Sequence, residues 1–300
     1  MWFWFAIAAL LCWSGSDLFS KIGSKPDDKY SHWKMVMAVG LVMGLHAAFE
    51  VFVNGVEISW QIIWAYMPAS ALYIGSMILG YVGLRYIELS VSSPICNSSG
   101  AIAGIFCLLF LGQTMEGLQI AAVAMVCLGV IGLGIVEYTE DDAARMERQK
   151  KSNVKYAKSV LAILLPVLYC LLDAAGTVAD EIILESISDE NSANVAYELT
   201  FFFMAVCSFI YVVLIKKDKI TIPREGPKLL GGIFETAGQF AYVHALASGD
   251  AAVAAPIISA YCAASVLWSR IFLKEKLSWK HYLAIAVTVA GIVILGVYDA

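Results

Sequence analysis

Ten apolar blocks divide the chain, and each is close to the length of about 20 residues that an α-helix needs to cross a lipid bilayer. Their apolar residues are continuous and not alternating, which predicts helices instead of the strands of a transmembrane barrel. A helix also satisfies its backbone hydrogen bonds within its own segment, as hydrocarbon requires. The sequence therefore predicts an all-α membrane protein with ten transmembrane helices. We place these spans at about 2–22, 32–53, 59–80, 91–111, 115–136, 157–179, 194–215, 228–247, 251–273 and 279–298.

The composition excludes an ordinary soluble domain. Apolar residues make up 60% of the chain and charged residues 15%, whereas soluble domains are about half apolar and about a quarter charged. The segment Met1–Phe5 has no basic residue, and no small-residue cleavage site follows it, so we expect a retained first helix instead of a signal peptide. The seven cysteines lie inside predicted spans without C-x-x-C spacing, so we expect neither a disulfide framework nor a metal site.

An internal duplication relates the two halves of the chain. The stretch Tyr81–Glu137 aligns without a gap to Val243–Asp299, 162 positions later. Pro94 then coincides with Pro256, and paired glycines coincide as well. Apolar sequences match by chance more often than mixed ones, but two prolines and paired glycines at one constant offset are harder to produce by accident. We therefore interpret the chain as a duplicated half.

The duplication predicts five spans in each half, and an odd number of spans makes the two halves inverted relative to each other. The single long polar connection has acidic residues followed by a basic run, which predicts a short amphipathic or disordered cytoplasmic segment. The predicted organisation is a first five-helix repeat at 1–137, a cytoplasmic linker at 138–156 and a second five-helix repeat at 157–300.

The basic residues predict the orientation of the spans. All 20 Lys and Arg residues lie in or beside connections that follow odd-numbered spans, while the connections of the opposite face carry acidic residues and no basic one. Because Lys and Arg are enriched in cytoplasmic connections, both termini are expected outside the cytoplasm and the linker inside. The expected location is the cell (plasma or inner) membrane, which the chain crosses many times.

Four acidic residues inside spans are the first candidates for a functional site: Asp17, Asp173, Glu198 and Glu235. A carboxylate at the centre of a spanning helix costs about 3 kcal/mol, so it usually faces a cavity or a partner. Glu235 has no Lys or Arg within a helical turn, which favours cation binding or proton exchange over a structural hydrogen bond. For Asp17 the alternative is an ion pair with Lys21, one turn away.

Two prolines mark spans four and nine at matching places. Paired interrupted helices in two halves are the best sequence indication of a transporter's central site. We therefore expect Pro94 and Pro256 to act as helix hinges and Asn97 to lie beside the cavity. His46 in span two is open to two interpretations, a hydrogen-bonded packing residue or a proton relay.

Span one carries Trp13, Gly15 and Lys21, a proline (Pro94 or Pro256) heads each of spans four and nine, and Leu273 with Glu275 marks the turn after span nine. With ten spans in two five-helix halves, these residues resemble the drug/metabolite transporter superfamily, in its EamA-like branch, over nearly the whole chain. The chain departs from the family pattern at Ser14, which separates Trp13 from Gly15, and at Lys274, where glycine is expected. Relatives are described with cytoplasmic termini, the reverse of the charge-based orientation, so import and export both stay open.

The resemblance implies a secondary active transporter that works by alternating access, with proton coupling or exchange as alternatives. Internal acids outnumber internal bases, which favours a cationic or zwitterionic substrate such as an amine, an amino acid or a drug-like cation over a phosphorylated one. Aromatic side chains would add cation–π attraction. We expect no cofactor, metal or nucleic-acid partner. The predicted substrate-binding residues are Trp13, Asp17, Asn97, Tyr169, Asp173, Glu198, Glu235 and Gln239.

Other functions are less well supported by the sequence. An enzyme is disfavoured because the chain has no metalloprotease motif, Gly-rich phosphate loop or paired nucleophile and base. A channel is disfavoured because nothing resembles a selectivity filter. The remaining alternative is a non-transporting interaction or sensor protein of the same fold.

Overall fold

The apolar blocks form helices along the chain. A computed structural model describes residues 2–25, 27–110, 116–157, 159–184, 190–248, 258 and 260–298, and within these ranges no residue is in a strand. The helices are α1 (Trp2–Gly23), α2 (Ser31–Phe52), α3 (Trp60–Gly83), α4 (Leu89–Cys96), α5 (Ser99–Phe110), α6 (Gly117–Thr139), α7 (Asp142–Arg148), α8 (Leu161–Leu184), α9 (Glu190–Phe209), α10 (Ile222–Ser248), α11 (Tyr261–Trp268) and α12 (Trp279–Tyr298).

The described helices confirm a multi-pass, all-helical membrane protein. Six segments are long and apolar enough to cross a membrane, and two shorter apolar helices, Tyr261–Leu273 and Trp279–Ile294, accompany them. The shorter of these includes a π-helical turn that continues α11. The six long segments are Trp2–Gly23, Ser31–Phe52, Trp60–Gly83, Gly117–Thr139, Leu161–Asp180 and Asn191–Ile215.

Span four is two helices and not the single helix that the sequence predicts. Helix α4 ends at Cys96 and α5 begins at Ser99. The Ser98 hydroxyl donates to the Pro94 carbonyl at 2.8 Å, while the Ser98 N–H donates to Ile95 O at 3.1 Å. A serine hydroxyl that competes for a backbone carbonyl favours a local break, and the tighter backbone bond is typical of a helix end. The break therefore follows from Ser98, one turn after the proline.

The linker between the halves is an ordered, docked segment. It forms α7 and a 3₁₀ turn, Gln149–Lys151. The Arg148 guanidinium contacts Glu88 Oε1 at 2.9 Å and Lys276 O at 3.0 Å, so it joins a connection of the first half to one of the second half. Arg148 and Glu88 are almost fully buried there. Of the two sequence interpretations of the linker, the disordered one is therefore wrong.

The connections that carry the basic residues meet at one end of the bundle, which we call the basic end. There the Lys21 ammonium donates to the carbonyl oxygens of Leu84 and Ile87. At the opposite, acidic end, the Ser192 hydroxyl donates to Glu57 O at 2.7 Å. Successive long helices therefore run in opposite directions through the bundle, as the charge pattern predicts.

Small residues set the closest helix contacts. The most extensive contacts pair α1 with α10, α2 with α9, α3 with α8, and α6 with α12. In the first pair, Gly15 packs on the Phe234 ring and Gly238 packs on the Trp13 ring. Small residues allow such close approach, which replaces the hydrophobic effect as a packing force in lipid. These four pairs surround a central space.

Candidate substrate cavity

A cavity of about 1020 Å³ lies in the middle of the bundle. Side chains from α1, α3, α4, α5, α8, α9, α10 and α11 line it, with single contributions from Ile258 and from Ile292 of α12. A volume of this size is at the upper end of the range for small-molecule pockets. Both halves of the chain therefore contribute to one internal chamber.

The structure brings most of the predicted binding residues to this chamber. Glu198 is the exception, since it lies outside the cavity lining. Pro94 is buried in α4, whereas Pro256 lies outside the described residues. The lining includes Trp13, Asp17, Asn97, Tyr169, Asp173, Glu235 and Gln239.

Asp17 is held by hydroxyl groups from two other helices. Its Oδ2 accepts from the Ser93 hydroxyl of α4 at 2.5 Å and from the Ser265 hydroxyl of α11 at 2.7 Å. Lys21, the partner that the sequence offers as an alternative, donates to backbone carbonyls at the basic end instead. The ion-pair interpretation of Asp17 is therefore wrong, and this carboxylate belongs to the cavity wall.

Two further carboxylates, Asp173 and Asp180, lie along one face of α8. Asp173 Oδ1 is 3.2 Å from the Ser76 hydroxyl of α3. Asp180, two turns further along, accepts from the Tyr66 hydroxyl at 2.5 Å and from the Tyr73 hydroxyl at 3.5 Å. Residues seven apart share a helix face, so the spacing places Asp180 on the same face of α8 as Asp173. The sequence does not single out Asp180, because this residue lies near the outer end of its span, where a carboxylate is common.

Glu235 and Gln239 face the cavity from α10, one turn apart. Ser16, which also lines the chamber, donates its hydroxyl to Gly231 O at 3.0 Å, one turn before Glu235 on the same helix. The Gln239 amide is 3.4 Å from the Asn194 carbonyl oxygen. Helix α10 thus presents a carboxylate and an amide to the chamber.

Glu198 takes part in a separate contact behind the cavity wall. Its carboxylate lies 2.9 Å from His46 Nδ1 and 3.4 Å from the Asn194 amide nitrogen. His46 Nε2 is also 3.5 Å from Glu50 Oε1. The Glu198 carboxylate is 2% exposed and does not line the chamber itself. Its link to the chamber is the hydrogen bond from Asn194, which does line it. His46 therefore lies between two carboxylates, those of Glu198 and Glu50.

Aromatic side chains supply much of the remaining wall. The Trp13 ring lies 5.3 Å from the Tyr242 ring and 5.6 Å from the Tyr261 ring, centroid to centroid. Three of the lining tyrosines, Tyr66, Tyr73 and Tyr81, come from α3. The lining tyrosines are Tyr66, Tyr73, Tyr81, Tyr169, Tyr197, Tyr242 and Tyr261.

The charge of the chamber has one sign. Its described lining contains four carboxylic acids and no Lys, Arg or His side chain. Hydroxyl donors surround these acids, and aromatic faces carry negative electrostatic potential. A site of this kind is complementary to a cationic group and offers no compensating charge for a phosphate.

The basic end of the chamber is closed by packing. Leu18, Leu84, Leu89 and Leu273 form a buried cluster beneath it. The Glu275 carboxylate accepts the Leu89 and Ser90 N–H groups, each at 3.1 Å, and so caps α4 from the other half of the chain. At the other end the lining reaches Tyr66 and Asp180. The chamber is therefore sealed towards the basic end and extends towards the acidic end.

One acidic cluster outside the chamber has metal-ligand spacing. Oxygen or nitrogen atoms of Glu137, Glu140 and His281 lie within 4.8 Å of one another. Arg145 contacts Glu137 at 2.5 Å and Arg148 contacts Glu140 at 2.8 Å, so two guanidinium groups already compensate these carboxylates. The cluster is best explained as the ion-pair network that docks the linker.

Comparison with known proteins gives a family. The EamA-like transporter family model matches residues 1–135 and 160–297. No curated protein matches the chain. One solved structure, described only as "Crystal structure of protein", is 14% identical, covers 97% of this chain and 95% of its own, and has a TM-score of 0.59. That likeness concerns the fold alone. Since the family model covers nearly all of both halves, the chain belongs to the EamA-like transporter family.

Proposed function

We propose that the protein is a secondary active transporter that moves a small polar metabolite with a cationic group, either a cation or a zwitterion, by alternating access. The observation that carries this proposal is the central chamber, whose described lining has four acids, eight aromatic side chains and no basic side chain. Membership of a transporter family supports movement of a small molecule across the membrane. The substrate class rests on charge complementarity and cation–π attraction.

The helix contacts support ten spans arranged as two inverted five-helix repeats. In the two repeats, α1 corresponds to α8 and α3 corresponds to α10. Exchanging each helix for its counterpart therefore turns the pair α1–α10 into the pair α8–α3. Both pairs are among the most extensive helix contacts. The pairs α2–α9 and α6–α12 join equivalent helices. Helices α3 and α10 begin 162 residues apart, as do α6 and α12. We take α4 and α5 as one broken span, and α10 as a span whose polar residues face the chamber.

Closure at one end supports a two-sided mechanism. In the present state the leucine cluster, Lys21 and Glu275 hold the basic end together, and the chamber extends towards the acidic end. In an inverted-repeat transporter the equivalent rearrangement of the other repeat closes the second end. We therefore assign this state as outward-facing, with the basic end in the cytoplasm.

Two forms of coupling fit a chamber with surplus negative charge. Uncompensated buried carboxylates are costly, so an empty carrier must take up protons or a second cation before it changes state. Proton coupling and exchange of one substrate for another both meet this requirement. Either is consistent with a protein of the plasma or inner membrane.

A ligand screen tests the proposed substrate class. Ligand at about 100 times its dissociation constant stabilises a fold by about 2.7 kcal/mol. We expect amines or amino acids to raise the melting temperature of the detergent-solubilised protein, and an Asp17→Asn variant to lose the shift. Sugar phosphates or nucleotide sugars serve as the comparison set. Stabilisation by that set alone would overturn a cationic site.

Topology gives a further expected result. Because all 20 Lys and Arg lie in or beside the connections of one face, both chain ends are expected outside the cytoplasm. An epitope tag fused after Ala300 should therefore react with a membrane-impermeant reagent in intact cells. A tag placed in the linker serves as the control and should react only after permeabilisation. The opposite pattern would reverse the orientation.

A further inference from the structure

We propose that His46 and Glu198 form a proton-binding site outside the chamber, and that a proton bound there weakens the binding of a cationic group inside it. This inference rests on the proposed function and adds a second ligand, the proton. The observation behind it is a row of polar contacts that begins at the acidic end, passes through the His46–Glu198 pair and ends in the chamber wall.

The pair joins α2 to α9 at the centre of this row. Both oxygens of Glu198 approach His46 Nδ1, at 2.9 and 3.0 Å. On the other side of the ring, Nε2 faces Glu50 Oε1 at 3.5 Å. An ionised carboxylate only accepts hydrogen bonds, and a neutral imidazole has one donor nitrogen. Both ring nitrogens therefore donate to a carboxylate only when the ring carries a second proton, so the arrangement is suited to bind one.

The helices packed on α2 determine which charges the ring meets. Helix α3 has no acidic, basic or histidine residue. Helix α10 places the Phe240 ring 6.1 Å from the His46 ring, and His244 lies 4.0 Å from that phenylalanine. Among the described residues, the ion pairs of His46 are those with Glu50 and Glu198, both acidic. The other acidic, basic and histidine residues of α1, α2, α9 and α10 lie in the chamber, at the basic end or at the start of α9, and they are Asp17, Lys21, His32, Lys34, Glu190, Arg224, Glu225, Lys228 and Glu235.

Contacts on one side of the pair lead to the acidic end. His46 lies six residues before α2 ends at Phe52, or about 9 Å along the helix axis. Glu50 Oε2 accepts from the Asn54 side-chain amide at 2.9 Å, and Asn54 is exposed. The His46 and Glu50 side chains are themselves partly exposed. A proton therefore reaches the ring from the acidic end while the basic end is closed.

Contacts on the other side of the pair lead into the chamber wall. The Asn194 amide nitrogen donates to Glu198 Oε1 at 3.4 Å, and the Asn194 carbonyl oxygen accepts from Gln239 at 3.4 Å. Asn194 and Gln239 both line the chamber, and Gln239 lies one turn after Glu235. One side chain therefore separates the Glu198 carboxylate from the chamber.

The sign of the linkage follows from charge. Without the added proton the pair carries the negative charge of Glu198, and with it the pair is neutral, whichever of the two groups holds the proton. A negative charge behind the wall attracts a cation in the chamber, because an effective dielectric constant of about 20 screens charges inside a protein less than water does. Proton binding removes this attraction. By reciprocity, a bound cation favours release of the proton.

Affinity for a cation of fixed charge at two pH values tests the inference. Choline and butylamine are suitable probes, because each keeps one positive charge between about pH 5.5 and about pH 8, on either side of the ordinary histidine pKa of about 6.5. We expect the full-length native protein in detergent to bind both cations about five-fold less tightly, or weaker still, at the lower pH. The chamber acids also take up protons there, so variants are needed to isolate the contribution of the pair.

His46→Gln identifies the proton site by the direction of its effect. Glutamine keeps an amide donor for Glu198 but does not titrate, so the variant retains the negative charge of Glu198 at the lower pH. It should therefore bind both cations about five-fold more tightly than the native protein at the lower pH and equally tightly at the higher pH. Loss of a merely structural contact would instead weaken binding at both pH values.

Two further variants complete the comparison. Glu198→Gln removes the negative charge at every pH, so it should bind both cations about five-fold less tightly than the native protein at the higher pH. His244→Gln is the matched control, since His244 is exposed and lies outside the chamber lining. This control should follow the native protein at both pH values.

The outcomes separate the two proposals. Equal affinities of His46→Gln and the native protein at the lower pH would overturn the proton site and leave the cationic chamber intact. A gain in His244→Gln as large as that in His46→Gln would also overturn it. If the native protein binds neither choline nor butylamine at either pH, the proposed cationic substrate fails together with this inference.

Discussion

A Glu235→Gln variant is expected to lose most transport activity while the protein stays folded and inserted. Glutamine is close in size to glutamate and keeps one side-chain oxygen that accepts hydrogen bonds. It cannot carry the negative charge that a cationic substrate group or a coupling proton requires. A hydrogen bond to a charged group contributes about 1.5–3 kcal/mol, so binding should weaken about ten-fold or more. Initial rates of amine uptake into proteoliposomes measure the loss.

The matched control is Glu57→Gln, because the Glu57 side chain is exposed at the acidic end and lies outside the chamber. This variant should transport at the native rate. Size-exclusion profiles of both variants check that each remains folded. If Glu235→Gln transports normally at every pH around neutrality, Glu235 is a structural acceptor and the charge-sensitive role passes to Asp17 or Asp173.

A Gly129→Ala variant is expected to lower thermal stability sharply. The added methyl group would lie 2.9 Å from Thr288 N and 3.0 Å from Ala284 O, and it would also meet the Thr288 hydroxyl. Backbone atoms of α12 cannot move aside without displacing the helix, so this overpacking should cost about 3 kcal/mol, the upper part of the usual range. The melting temperature in detergent and the monodisperse fraction measure the effect.

Gly132→Ala is the comparison, since it lies on the same helix less than one turn away. Its nearest contact would be the Ala284 Cβ at 3.6 Å, an ordinary van der Waals distance. Alanine also favours helix by about 1 kcal/mol over glycine. This variant should therefore be as stable as the native protein or slightly more stable. Equal melting temperatures for the two variants would mean that α6 and α12 pack less closely than described.

Much of the helical framework could be predicted from hydropathy and length. The predicted last span, 279–298, coincides with α12, Trp279–Tyr298. Apolar patterns predict such helices because a chain segment in lipid has few ways other than a helix to satisfy its backbone hydrogen bonds. The break between α4 and α5 was missed, since it depends on which carbonyl the Ser98 hydroxyl contacts. Hydropathy carries no information about such a local competition.

The chamber was predictable only in part. Asp17 and Asp173 stand out because each is a carboxylate within an apolar block, and both line the cavity. Glu198 is also a carboxylate within an apolar block, but it lies outside the cavity lining. It pairs instead with His46 of α2, which is 152 residues away in the sequence. Pairing across helices of that separation depends on the rotation of each helix about its axis. A single sequence does not specify those rotations.

Two of the family-matching residues, Lys21 and Glu275, have a different role from the acids of the chamber. Lys21 bonds the carbonyls of Leu84 and Ile87, and Glu275 caps α4. Both lie at the basic end, outside the chamber lining. These residues therefore indicate the fold and its closure, while the substrate must be inferred from the chamber itself.

Counterflow in sealed proteoliposomes tests transport most directly. Vesicles that contain the purified protein are loaded with an unlabelled amine that stabilises it in the ligand screen, and the same amine is added outside in labelled form. We expect transient accumulation of label above the level in protein-free vesicles, and little accumulation with Glu235→Gln. An amine that stabilises the native protein but never accumulates would contradict transport and leave a binding or sensor protein of the same fold.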